Sequence, residues 1–245
     1  MPTWFFPTLI IGVAAITLTH IFRLARRQAE LSRQIRQRLG FIEIEQSDPA
    51  LVERLNRILE PDGGGVKVSK VFKRDYGSYA LYDCRVLEGR NDKNADLKTV
   101  IVGRGWQVPS LRLAPRMGGE GRGWKLLNSL TLLAVKQGGF EPIALETSPE
   151  FTKKYTALSR SPQDAACQVP GEVWSDLAAL PGLLMIDAEG DTVIFSDCKA
   201  LTERIKGDFE TQETERLKQV IETASRLNGV FEHCMAGVVK EPAMS

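Results

Sequence analysis

Leu183-Leu184-Met185-Ile186-Asp187-Ala188-Glu189-Gly190-Asp191-Thr192-Val193-Ile194-Phe195-Ser196 is the stretch on which the fold of this chain turns. Two apolar runs flank Ala188-Glu189-Gly190, which has the composition of a turn, so the segment reads as an antiparallel hairpin. Four more strand-like runs lie upstream, at Val66 to Phe72, Tyr79 to Leu87, Leu97 to Val102 and Ser110 to Ala114. Polar loops, mostly short, separate them. Parallel neighbours need crossovers of about a dozen residues, so these four are expected to form an antiparallel meander. Pro109 and Pro115 flank the last run and place it at a sheet edge.

Helical periodicity occupies the remaining segments. Leu51, Leu55, Ile58 and Leu59 share one face of a short helix that opens at Ser47-Asp48-Pro49 and ends at Pro61-Asp62-Gly63-Gly64-Gly65. A second helix is expected from Trp124 to Lys136, closed by Gly138-Gly139, with Phe140 to Leu145 returning to the sheet. Ser148-Pro149 and Ser161-Pro162 each pair an N-cap residue with proline at the first helical position. Pro170-Gly171-Glu172 starts a further short helix that Leu180-Pro181-Gly182 ends. Leu217, Val220, Ile221, Ala224, Leu227 and Phe231 trace the buried face of a long helix from about Asp208 to Leu227.

The N-terminal segment reads differently. From Trp4 to Phe22 the chain is WFFPTLIIGVAAITLTHIF, without Asp, Glu, Lys or Arg. As a helix it would extend about 28 Å, close to the roughly 30 Å hydrocarbon core of a bilayer. Arginines rather than small residues follow the run and no basic residue precedes it, which disfavours a cleaved signal peptide. Arg23, Arg26 and Arg27, then Arg33, Arg36 and Arg38, stand against a single Glu30 in the same stretch. Basic residues beside a span are retained in the cytoplasm. The expectation is therefore a single-pass protein of the inner (plasma) membrane, N-terminus outward, with Arg23, Arg26 and Arg27 as its topology signal. Leu24, Leu31, Ile35 and Leu39 continue at helical spacing. Such a stripe can pair with a second copy or pack on the domain, while the arginines can lie on anionic headgroups. The expected fold class is α+β: an N-terminal single transmembrane helix followed by an antiparallel-sheet domain with flanking helices. Residues 1–39 form the anchor and juxtamembrane helix, 40–233 a cytoplasmic domain and 234–245 a flexible tail.

Composition argues mainly by exclusion. The 32 basic and 31 acidic residues leave a net charge of +1, so no global field recruits nucleic acid. Cys84, Cys167, Cys198 and Cys234 lie far apart, without a CxxC pair or a His at ligand spacing, and neither a metal site nor a cofactor is expected. The two histidines are His20, inside the apolar run, and His233, near the C-terminus, so no catalytic dyad or triad is assigned. Gly118-Gly119-Glu120-Gly121-Arg122-Gly123 precedes a helical pattern and Lys125 follows it. Backbone amides of such a turn can cradle an anion, which makes Gly121, Arg122 and Lys125 the anion-binding candidates. The spacing satisfies neither GxGxxG nor GxxxxGK[ST].

The order Tyr82-Asp83, Lys98-Thr99-Val100, Leu111-Arg112-Leu113-Ala114-Pro115, Pro149-Glu150-Phe151-Thr152-Lys153-Lys154-Tyr155, two short helices and the Leu183 to Phe195 hairpin resembles an uncharacterised family of bacterial membrane-anchored proteins. The resemblance covers about Leu59 to Phe195 and departs over Gly118 to Gly139. It implies bacterial origin, membrane attachment and an α+β domain, and it carries over no catalytic residue. The functional expectation is a noncatalytic binding or interaction module at the cytoplasmic face, with the lipid bilayer as partner through residues 4–22 and a protein partner or homo-oligomer beyond it. The alternative is an enzyme on a membrane-associated or nucleotide substrate, using Arg122 and Lys125.

Overall fold

Side-chain alternation with period two marks the strand segments, and in the computed structural model these join into one sheet. The structure describes residues 5–44, 48–60, 65–88, 95–116, 139–145, 148–197 and 207–235. The expected helix at Trp124 to Lys136, the turn holding Gly121, Arg122 and Lys125, and the tail beyond Met235 lie outside these residues. The elements are α1 (Phe5–Arg38), β1 (Ile42–Ile44), α2 (Pro49–Leu59), β2 (Val66–Asp75), β3 (Tyr79–Glu88), β4 (Asp96–Gly103), β5 (Val108–Pro115), β6 (Glu141–Pro142), α3 (Pro149–Lys154), β7 (Tyr155–Ser159), α4 (Pro162–Gln168), α5 (Gly171–Ala179), β8 (Leu184–Gly190), β9 (Thr192–Asp197) and α6 (Phe209–Glu232). They divide into two compact units, residues 1–41 with 205–218, and residues 42–204 with 219–245.

The second unit holds the nine-stranded sheet, in the order β1-β2-β3-β4-β9-β8-β5-β7-β6, and every described ladder is antiparallel. The hairpin closes tightly: Glu189 pairs with Thr192, so Gly190 and Asp191 are the two turn residues. Gly190 has φ 62, the left-handed value that a II′ turn requires at its first central position. The meander expected over β2 to β5 is corrected at its last step. β5 does not pair with β4; β9 and β8 are inserted between them. β5 is accordingly interior, between β8 and β7, rather than at an edge. Its prolines are tolerated because Pro109 falls in the register shift between Val108 and Leu111, and Pro115 is the last residue of the strand.

Register sorts the core into two faces. Tyr82, Val100, Ile194, Asp187, Arg112 and Leu158 follow one another across the strands and therefore share a face. α2 covers its first half, where Leu51, Leu55 and Ile58 pack on Tyr82, Cys84, Val86, Val100 and Ile194. On the other face Leu81, Ile101, Val193, Ala188 and Leu111 form a continuous buried row. Near β7, Phe151 of α3 stacks edge-on against Trp174 of α5, with ring centroids 5.1 Å apart. Lys154 then caps the C-terminal end of α5 by donating to the carbonyls of Ala178 and Leu180. Proline opens both α3 and α4, but Ser148 and Ser161 make no side-chain cap, so only the proline half of that expectation describes these helix starts.

α1 requires a larger correction. Among the described residues no helix is long and apolar enough to cross a membrane. The side chains described along α1 begin at Thr17, and from there Arg23, Arg26, Arg27, Glu30, Arg33, Arg36 and Arg38 interrupt any apolar run. Trp4 and the side chains of Phe5 to Ile16 lie outside the described residues. This overturns the transmembrane helix of the expected fold class, and with it the single-pass inner-membrane placement, the outward N-terminus and the role of Arg23, Arg26 and Arg27 as topology signals.

The β4–β5 connection supplies a packing test. Four residues, Arg104 to Gln107, must pass the two inserted strands, a distance of about 14 Å at ~4.8 Å per strand. Trp106, 3% exposed, anchors the crossing by lying flat on Gly103 and against the Phe231 ring, centroids 5.7 Å apart. A Cβ at position 103 would stand 2.0 to 2.5 Å from Trp106 ring atoms. Gly103→Ala should therefore displace the indole and cost about 1–3 kcal/mol. Urea unfolding measures this, and an unchanged midpoint would show that the indole does not need the bare backbone.

Candidate functional site

Helix α1 forms because Leu24, Leu31 and Ile35 recur on one face among good helix formers. Within the first unit it meets the first turns of α6. Asp208 starts α6 as an N-cap, its Oδ1 accepting from the Thr211 amide at 2.9 Å. That bond, with further help from the Thr211 hydroxyl, holds the Asp208 carboxyl below the ordinary range. One helical turn on, Glu213 gathers three partners: Arg36 at 2.8 Å, the Ser32 hydroxyl at 2.9 Å and Arg216 at 2.9 Å. Arg36 also donates to the Ser32 carbonyl and hydroxyl. Arg38 and Glu210 form a second, exposed pair at 2.9 Å. Arg36 and Glu213 are only 7% and 13% exposed, so theirs is the pairing that matters energetically.

Beyond this clamp lies an open groove of about 310 Å³, lined by Leu24, Arg27, Gln28, Leu31, Asp208, Phe209 and Glu210. Leu24, Leu31 and Phe209 make it apolar, with Arg27 and the two carboxylates at its margins. The described end of α1 leading away from it is unusual for a surface helix. Leu18, Ile21, Phe22 and Leu24 are 55%, 54%, 72% and 47% exposed. Arg23, Arg26 and Arg27 are exposed among them and take part in no ion pair among the described residues. The three arginines singled out by the sequence are thus brought together, as a bare cationic cluster threaded through bare apolar side chains. Gly121, Arg122 and Lys125 lie outside the described residues.

In the second unit the ionisable groups are mostly committed to one another. Arg54 grips Asp191 through two nitrogens at 2.9 to 3.1 Å, tying α2 to the hairpin turn. Burial alone would raise the Asp191 carboxyl, but Arg54 and the Thr192 hydroxyl outweigh it and hold it low. Arg112 is bonded to Asp187, and Arg160 faces Glu189 at 3.5 Å. His233, half-exposed, stands 3.9 Å from Glu172 and 3.8 Å from Asp176. Burial pushes the Cys234 thiol up to about 11, and burial together with Asp83 pushes Cys84 up to about 12, so neither supplies a thiolate at neutral pH. Among the described residues no group of three or more His, Cys, Asp or Glu is arranged to hold a metal ion.

Phe209, Asp208 and Glu213 are the site residues that sequence reasoning missed. Ser32 and Glu213 are 181 positions apart, and no local pattern on either helix announces the other. The available signal was the acidic first turns of α6, complementary to the arginines at the end of α1.

Comparison with protein-family models returns no match, and comparison with curated proteins returns none either. Among solved structures the chain is similar to the crystal structure of the mycobacterial trehalose monomycolate transport factor A, TtfA, with a TM-score of 0.50 and 10% sequence identity, covering 84% of this chain and 94% of that one. At this identity the likeness is one of fold.

The clamp makes a prediction about pH. Burial would raise the Glu213 carboxyl, but Arg216, Arg36 and Ser32 outweigh it and hold it below its ordinary value. A carboxyl lowered in the folded state stabilises above its unfolded pKa, about 4.3, and that contribution is lost as pH falls through the folded value. Glu213→Gln should destabilise the fold by about 1–3 kcal/mol at neutral pH by removing the carboxylate that Arg36, Arg216 and Ser32 share. Thermal midpoints of the variant should also change less than the native ones between neutral and acid pH. Parallel native and variant pH curves would rule out the clamp.

Proposed function

We propose that this chain is a noncatalytic binding module that adsorbs to an anionic lipid surface through the described end of α1, from Leu18 to Arg27. The observation that carries the reading is the alternation there of exposed Leu18, Ile21, Phe22 and Leu24 with Arg23, Arg26 and Arg27. Large apolar side chains in water cost free energy that burial would return, roughly 1.5–3 kcal/mol for each one fully covered. Guanidiniums in the same turns select a negatively charged covering, at about 1 kcal/mol per charge near an anionic surface. Adsorption in the plane of the interface needs only an amphipathic segment, and no span.

Two further observations support the reading. The similar solved structure bears the name of a transport factor for trehalose monomycolate, a lipid. The groove beside Leu24, Leu31 and Phe209 continues the apolar surface and has room for part of an acyl chain.

The test is co-sedimentation of the full chain with vesicles. Binding is expected to mixed phosphatidylglycerol–phosphatidylcholine vesicles, weaker binding to phosphatidylcholine alone, and loss at high salt, where the screening length drops to about 3 Å at 1 M. Replacing Arg23, Arg26 and Arg27 together by Gln should lower partitioning by about 100-fold, the sum of three charges at ~1 kcal/mol each. Equal binding by the native chain and the triple variant, or self-association through α1 without lipid binding, would reject this partner.

A further inference from the structure

Arg160 sits one residue beyond β7, on a stretch that is firmly held. The Ser159 hydroxyl donates to the Ser110 carbonyl at 2.6 Å and accepts from the Ser161 amide at 3.1 Å, so both neighbours of Arg160 are tied to β5. The guanidinium carbon lies 4.9 Å from the centre of the Phe140 ring, and that of Arg112 lies 4.4 Å from the same ring. Nη1 of Arg160 faces Glu189 at 3.5 Å. Its other two nitrogens, Nε and Nη2, are closed to solvent and have no hydrogen-bond partner among the described residues.

Those two nitrogens share one edge of the guanidinium plane. The same edge of Arg54 holds both oxygens of Asp191 in this chain, so its natural complement is a pair of oxygens on one atom. Two charged N–H groups left without acceptors and away from water are costly. No described carboxylate relieves them, since Asp187 is bonded to Arg112 and Glu189 lies toward Nη1. Phe140 supports the guanidinium from its face and leaves the edge in plane for an acceptor.

We propose that the Nε–Nη2 edge of Arg160 is an oxyanion subsite that receives the paired oxygens of a carboxylate or phosphate group. Arg112 and Arg160 are balanced in charge by Asp187 and Glu189, so the subsite selects by fork geometry and not by a long-range field. Binding here therefore depends on salt far less than the α1 surface does. Because the edge is closed to solvent, entry requires local opening around Ser159 to Ser161, and occupancy should slow amide exchange there.

The experiment is calorimetric titration of the full chain at fixed ionic strength with inorganic phosphate, with acetate, and with short-chain phosphatidic acid below its micelle concentration. These arms separate a free anion from a lipid headgroup. The native chain should bind at least one of the three. Arg160→Gln should weaken that binding more than tenfold, and so should Arg160→Lys, which keeps the charge but lacks the fork and guards against a folding defect. Replacing Arg23, Arg26 and Arg27 by Gln should leave the phosphate and acetate arms intact while reducing adsorption to phosphatidylglycerol vesicles, so failure of the lipid-surface reading and failure of this one are distinguishable. No binding by the native chain in any arm, or equal binding by native and both Arg160 variants, would overturn the subsite.

Discussion

Insertion of the β8–β9 hairpin between β4 and β5 is the constraint on which the second unit depends. Without it β1 to β4 would form one ladder and β5, β7 and β6 another, each with an open edge, and edges invite further pairing. The hairpin joins them by offering Thr192 to Phe195 to β4 and Val108 to Leu113 a partner in β8. Its turn is held from outside by Arg54 of α2 and its neighbouring crossing by Trp106 on Gly103. These contacts are far apart in sequence, so the joint closes at an entropic cost that only the completed buried rows repay.

The same arrangement decides where charge can reside. One sheet face carries an apolar row from Leu81 to Leu111, with Asp83 and Thr99 buried beside it, while the other changes from the α2 core to Arg112, Asp187, Arg160 and Glu189 as it passes β9. Charges on a half-buried sheet face must be paired, and these are, except along one edge of Arg160. In the first unit the solution is different. Arg36 and Glu213 are buried together, whereas Arg23, Arg26 and Arg27 remain in solvent beside apolar residues that are also uncovered. The two units thus present two distinct kinds of cationic group, one geometric and shielded, the other diffuse and exposed.

Much of this was legible in the residues, and the failures share a physical cause. The hairpin, α2, the strand stretches of β2 to β5 and the long α6 follow from local periodicity and turn chemistry, which act over a few residues. Proline also marked the starts of α3 and α4 correctly. What misled was the use of neighbourhood in sequence for neighbourhood in space. Only four residues separate β4 from β5, yet they are not partners, and Pro109 suggested an edge where a bulge accommodates it inside the sheet. The apolar opening of α1 suggested a span, and the arginines that follow it were taken as its cytoplasmic flank, whereas among the described residues no helix is long and apolar enough to cross a membrane. Among the candidate site residues, the three arginines were visible as a run. Glu213, Phe209 and the Arg160 edge were not, since each acquires its meaning from a contact made across the fold.

The proposed binding by α1 and the structural integrity of the sheet are separable by amide hydrogen exchange on the full chain with and without phosphatidylglycerol-containing vesicles. Exchange should slow over Thr17 to Arg27 on addition of vesicles, while β3, β4, β8 and β9 remain as they were. Protection spread over the sheet, or absent from Thr17 to Arg27, would contradict the claim that this stretch of α1 is the surface by which the protein acts.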